Sequence, residues 1–153
     1  MKRVLKFGLL VLCAVVIFPL SACDGVEEDE ETLQAEAVVR DYHLGLSNRD
    51  IETLKELQVE RRQSVIYGQM IDGLNEVQLL SIKENLEEKE WFMHSGRGEN
   101  YEPDNIRAFE VEASFNYQEY ASLYYRNGRQ KRVYFLVREE ENSPWLIEDM
   151  VRF

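Results

Sequence analysis

Phe109-Glu110-Val111-Glu112-Ala113-Ser114-Phe115-Asn116-Tyr117 alternates apolar and polar residues without a break. Successive side chains of a strand point to opposite faces, so the stretch predicts a strand with one buried face and one wet face. Downstream, Asn127-Gly128 separates Tyr124-Tyr125 from the apolar run Val133 to Val137. Both residues of an Asn-Gly pair accept positive φ, so the pattern predicts a long β-hairpin that turns there. Counting outward from that turn sets Tyr120 opposite Phe135, in a phase opposed to that of Tyr117. A bulge near Gln118 or Glu119 reconciles the two phases and bends the sheet.

Leu80, Ile82 and Leu86 share one phase and predict a strand before this pair, and a last strand is expected from Trp145 to Phe153 after the turn Asn142-Ser143-Pro144. The first half of the chain has a helical period instead. Ala35, Val38, Val39, Tyr42 and Leu46 recur at three- and four-residue spacing, which leaves Arg40, Asp41 and His43 for other faces. Ser47-Asn48-Arg49 ends that helix, Asp50 caps a second one striped by Ile51, Leu54 and Leu57, and Arg61 to Asp72 predicts a weaker third with Val65, Ile66, Met70 and Ile71.

Helices followed by an antiparallel meander, closed by Pro144-Trp145-Leu146-Ile147-Glu148-Asp149, resemble the nuclear-transport-factor-2-like (cystatin-like) superfamily. Tyr42 in the first helix and the cap at Asn48 to Asp50 fit the same pattern. The chain is most similar there to small lipoproteins of Gram-positive bacteria. The resemblance implies an α+β fold in which N-terminal helices pack on a strongly curved antiparallel sheet, forming a cone. It also implies that homodimers through the sheet are common. Enzymes of the superfamily line the cone with a few acids, tyrosines or histidines amid apolar walls.

The N-terminus carries an address. Lys2, Arg3 and Lys6 precede an apolar run from Phe7 to Leu20, broken only by Gly8 and Pro19. That length suits a signal-peptide core and falls short of the roughly 20 residues a spanning helix needs. Leu20-Ser21-Ala22-Cys23 then forms a lipoprotein cleavage box, in which small residues admit the peptidase and the Cys23 thiol carries a diacylglycerol. The expected organisation is a signal peptide at 1–22, a lipidated cysteine and acidic tether at 23–32, and one α+β domain at 33–153. Acyl chains at about 0.8 kcal/mol per buried methylene would hold the mature chain on the outer face of the cell membrane.

The chain has a formal charge of −11, and losing Lys2, Arg3 and Lys6 with the signal peptide would make it −14. Such acidity argues against nucleic acid as a partner. Six carboxylates fall within Asp24 to Glu31, a composition that predicts an extended tether. With Cys13 removed and Cys23 lipidated, no thiol remains for a disulfide or for cysteine catalysis. No phosphate-cradling loop or hydrolase elbow is present, and His43 and His94 alone do not make a zinc site, so no cofactor and no metal are expected.

Two features carry functional expectations. Asp149 shares a strict two-residue phase with Trp145, Ile147, Val151 and Phe153, which would aim a carboxylate at the apolar side as a general acid or base. Alternatively the strand bulges there, or the carboxylate pairs with an arginine. The second feature is the hairpin, where Tyr120, Tyr124 and Tyr125 lie close to Arg129 and Arg132, a basic island in an acidic chain. Aromatic and arginine side chains suit a partner surface for an envelope protein or a second copy, although tyrosines also simply suit strands. The leading expectation is a membrane-anchored, non-catalytic binding module of the cell envelope. An adaptor acting through the hairpin and a cone enzyme using Asp149 are the alternatives.

Overall fold

The computed structural model describes residues 29–63 and 68–152. Helix α1 (Glu30–Asn48) is capped by Asp29, whose carboxylate accepts from the Thr32 N–H at 2.7 Å. Ala35, Val39, Tyr42 and Leu46 are buried, as their spacing predicts. The helix starts earlier than expected, because Asp29 to Thr32, assigned above to the tether, form its cap and first turn. Acids at a helix N-terminus oppose the backbone dipole, and Thr32 is itself buried. His43, left by the period to another face of the helix, is buried as well.

Asp50 caps α2 (Ile51–Glu56) by accepting from the Thr53 N–H. Within the stretch expected to be a weak third helix, α3 (Glu60–Gln63) and α4 (Gly68–Asp72) are helical; Val65 and Ile66 lie outside the described residues. Next come β1 (Leu74–Glu84), α5 (Leu86–Met93), 3-10 turns at Gly98–Asn100 and Pro103–Asn105, β2 (Ile106–Tyr117), α6 (Glu119–Ser122), β3 (Gly128–Val137) and β4 (Leu146–Arg152). The strands pair antiparallel in the order β1-β2-β3-β4, so the fold is α+β, with a sheet neither closed nor strongly curled. Residues 57–59 add a short parallel bridge to the β4 edge. Ile147 donates its N–H to Leu57 O at 2.9 Å, and Val59 donates to Ile147 O at 3.2 Å.

Alternation along β2 holds where it was read. Phe109, Val111, Ala113, Phe115 and Tyr117 are buried under α1, while Glu110, Glu112, Ser114 and Asn116 are only partly covered or exposed. At its other end β2 is buried on both faces, because Ile106 and Ala108 join Val133, Phe135 and Val137 beneath α5. Phe92 of α5 stacks on Phe135 with ring centroids 4.4 Å apart. Leu86, expected to continue a strand, opens this helix and is exposed. Asn85 turns the chain by accepting the Glu88 N–H, a cap that ends the strand period.

The expected hairpin is replaced by a different connection. β2 pairs with β3 from Phe115↔Gly128 to Ile106↔Val137, so Phe135 faces Ala108 and not Tyr120. At Gln118 the strand does not bulge but stops, its N–H donating to Gly73 O, and α6 follows. The Asn127 side chain accepts from the Tyr117 N–H at 2.5 Å, and Gly128 starts β3 at φ +89°. β1 begins at Leu74, so a longer hairpin would be a ribbon without a neighbour. The helical turn instead buries Ala121 and stacks Tyr125 on Tyr117.

If α5 is the cover for this face, Phe92→Ala should cost about 3–5 kcal/mol in urea-induced unfolding. Leu86→Ala, on the same helix but exposed, should change stability by under about 0.5 kcal/mol. Equal losses would mean that the helix does not bury the sheet through Phe92.

Candidate functional site

Asp149 lies beyond a bulge. Leu136 pairs with Ile147 but Phe135 pairs with Asp149, so Glu148 is the extra residue and the phase of β4 flips across it. Trp145 and Ile147 face the α1 core, whereas Asp149 falls on the α5 side, opposite Phe135. Of the two readings of Asp149, the one with a bulge and an arginine partner holds, and the one with a carboxylate among apolar walls is corrected. One Asp149 oxygen pairs with Arg62, the other with Arg97, and its own neighbour Met150 donates an N–H to it at 2.9 Å. The arrangement ties α3 and the loop after α5 to β4.

Glu148 is buried beside it. Arg61 pairs with its carboxylate and donates to its backbone carbonyl at 2.7 Å, while the Tyr101 hydroxyl lies 3.5 Å from the other oxygen. Burial, with Glu148 close by, pushes the Tyr101 phenol up from its ordinary value. A cleft of about 390 Å³ opens next to this group, lined by Gln58, Val59, Tyr101, Arg138 and Leu146 and rimmed by Glu60. Its size suits a small ligand. Among the described residues its lining holds the Ser143 hydroxyl and the carboxylates of Glu56, Glu60 and Glu139, but no histidine or lysine.

The tyrosine and basic residues separate into two parts at one end of the sheet. Tyr120, Leu123 and Tyr124 stand out from the α6 turn, 53%, 80% and 76% exposed, while Tyr125 is half-buried. Arg129 is on the wet face beside Glu112 at 3.6 Å, as Lys131 is beside Glu110 at 2.7 Å. Arg132 is on the other face, with its guanidinium 4.9 Å from the Phe115 ring centroid. Arg126, Arg129, Gln130, Lys131 and Arg152 enclose a hollow of about 220 Å³. The separation of Leu123 and Arg152 in sequence hid their place in this surface. Leu123 sits in the turn that replaced the hairpin, and Arg152 comes opposite Arg132 only through the β4 register.

His43 does not meet His94, which lies exposed after α5. It packs instead against Tyr42, Phe115 and Tyr134, with its Nε2 3.1 Å from the Tyr134 hydroxyl. Among the described residues its Nδ1 has no hydrogen-bond partner, and no group of histidines, cysteines and acids could hold a metal ion. Burial, with Arg132 nearby, lowers the His43 pKa from 6.5 to about 4. The unfolded chain thus binds more protons than the fold between those values. The contribution of His43 to stability should be full above pH 6.5 and be lost as pH drops toward 4, on the order of 3 kcal/mol. Thermal melts of wild type and His43→Gln should diverge over this window, with the variant flatter; parallel curves would refute the linkage.

Leu20, Ser21, Ala22 and Cys23 lie outside the described residues. Among the described residues no helix is long and apolar enough to cross a membrane. No curated protein and no solved structure matches the chain. A family model does match it, over residues 36–150, from the second turn of α1 into β4, and thus over the described helices and the sheet that position both regions. The chain belongs to the family described as Domain of unknown function (DUF4829).

Proposed function

We propose that this protein is a membrane-anchored extracytoplasmic lipoprotein whose domain acts as a non-catalytic binding module of the cell envelope. One observation carries the placement of its binding surface: α1 begins and α6 projects at opposite ends of the sheet. Thr32 and Glu31 meet Arg107 near the start of β2, whereas α6 follows its last residue. Twelve strand residues separate the two ends, roughly 40 Å. The chain from Cys23 to Asp29 extends at most about 20 Å. An anchor at Cys23 would hold the α1 end by the bilayer and leave Tyr120, Leu123 and Tyr124 facing outward. Large apolar side chains so exposed on one projecting turn are the chemistry of a contact surface.

Kinship with the nuclear-transport-factor-2-like superfamily is part of the same proposal. It is supported by element order and by Trp145-Leu146-Ile147 in the terminal segment, and it requires no enclosed cone. The enzyme alternative is weakened by the ion pairs on Asp149.

Two experiments test the reading. The full chain expressed in a bacterial host should partition into the detergent phase of a Triton X-114 extract, and Cys23→Ala should move it to the aqueous phase. Retention of the variant in detergent would overturn the lipid anchor. A photo-crosslinking amino acid at Leu123 should give discrete adducts in intact cells, with none from the same probe at Glu60. Equal yields at both positions, or none at either, would overturn the binding surface.

A further inference from the structure

From Tyr120 to Arg138 the chain contains no acidic residue, in a protein with 29 of them. This acid-free strip forms α6 after Glu119, the loop that follows it and β3, and the end of β4 adds Arg152. Arg132 and Arg152 are directly opposite each other across β3 and β4. Like charges in that position repel and destabilise a sheet. Among the described residues Arg126, Arg132 and Arg152 have no carboxylate partner, whereas Arg129 and Lys131 are offset by Glu112 and Glu110. The Nε of Arg132 is buried and without a hydrogen-bond partner among the described residues. Beside this pair is the hollow enclosed by Arg126, Arg129, Gln130, Lys131 and Arg152.

We propose that this hollow is an anion site for a phosphate-bearing polymer. The inference names the partner chemistry of the outward end and so rests on that end being the binding surface. Guanidinium forks match phosphate oxygens two at a time, and an anion seated among Arg126, Arg129 and Arg152 offsets the charge that Arg152 sets against Arg132. The shape of the charge favours a thin polyanion over a folded acidic protein. A broad acidic surface would also meet Glu110, Glu112 and Glu119 around the strip, on a chain of net charge −11. A thin chain of phosphates can follow the cations that line the hollow with less contact with those carboxylates.

The test titrates the full chain, in nonionic detergent, with long-chain inorganic polyphosphate and separately with poly-glutamate. Polyphosphate should bind, more weakly as salt rises. The double variant Arg126→Glu/Arg152→Glu should lose roughly tenfold in affinity and show a shallower salt dependence. Both positions are exposed, and circular dichroism checks that the variant is folded. Lys83→Glu, on the β1 edge, should bind as wild type does. No polyphosphate binding, or equal losses in the Lys83 and double variants, would overturn the site. Tighter binding of poly-glutamate would overturn the phosphate assignment and indicate an acidic protein. Failure here with crosslinking at Leu123 intact would remove only this inference, whereas failure of both would remove the outward end as the binding surface.

Discussion

The structure depends on the run Val133 to Val137 being buried on both faces of the sheet. Tyr134 and Leu136 face α1, while Val133, Phe135 and Val137 face the opposite way. Each side chain of this kind contributes roughly 1.5–3 kcal/mol when fully removed from water. One layer of helices can cover one set only. The stretch between β1 and β2 therefore turns back as α5 and lays Phe92 on Phe135, giving two helical covers to the middle of an antiparallel sheet.

Charge organises the rims. At the α1 end Glu31 bridges Arg107 and Arg138, whose guanidiniums lie 5.4 and 4.7 Å from the Trp145 ring centroid. Both arginines are buried, and both reach Glu31 in the first turn of α1, Arg107 also lying 3.7 Å from Glu84 of β1. Removing Glu31 would take from Arg138 its carboxylate partner among the described residues and leave Arg107 only the longer contacts to Asp29 and Glu84, so the first turn of α1 is part of the fold. The β4 edge is organised in the same way by Arg61 with Glu148 and by Arg62 and Arg97 with Asp149. At the α6 end the balance is different, since cations there outnumber the carboxylates that reach them. The two ends of one sheet thus present different chemistry.

Local patterns were legible where one rule governed them. The stripe from Ala35 to Leu46 and the alternation from Phe109 to Tyr117 each reflect one buried face, and both survive in the fold. Asp50 caps its helix for the same local reason. His43 was left to another face because a period assigns faces by majority, and the α1 stripe is wide enough to take in a polar ring that finds Tyr134. α5 was missed because its apolar residues are few and its cover is needed by strands far along the chain. Asn127-Gly128 misled because the turn it favours competes with burial of Ala121 and with stacking of Tyr125 on Tyr117.

By itself the sequence determined the lipoprotein-like leader as an expectation, the helices-then-strands order, the faces of α1 and β2, and the concentration of cations near Gly128. Those features follow from neighbouring residues and their spacing. Only the tertiary structure decided where Asp149 points, because a single extra residue at Glu148 reverses the phase of β4. Pairing with β3 on one edge and with residues 57–59 on the other accompanies that reversal. Only it set Arg152 opposite Arg132 and placed Leu123 on the exposed turn that follows β2. Strand register is a property of two chains of atoms at once, and no spacing within either strand contains it.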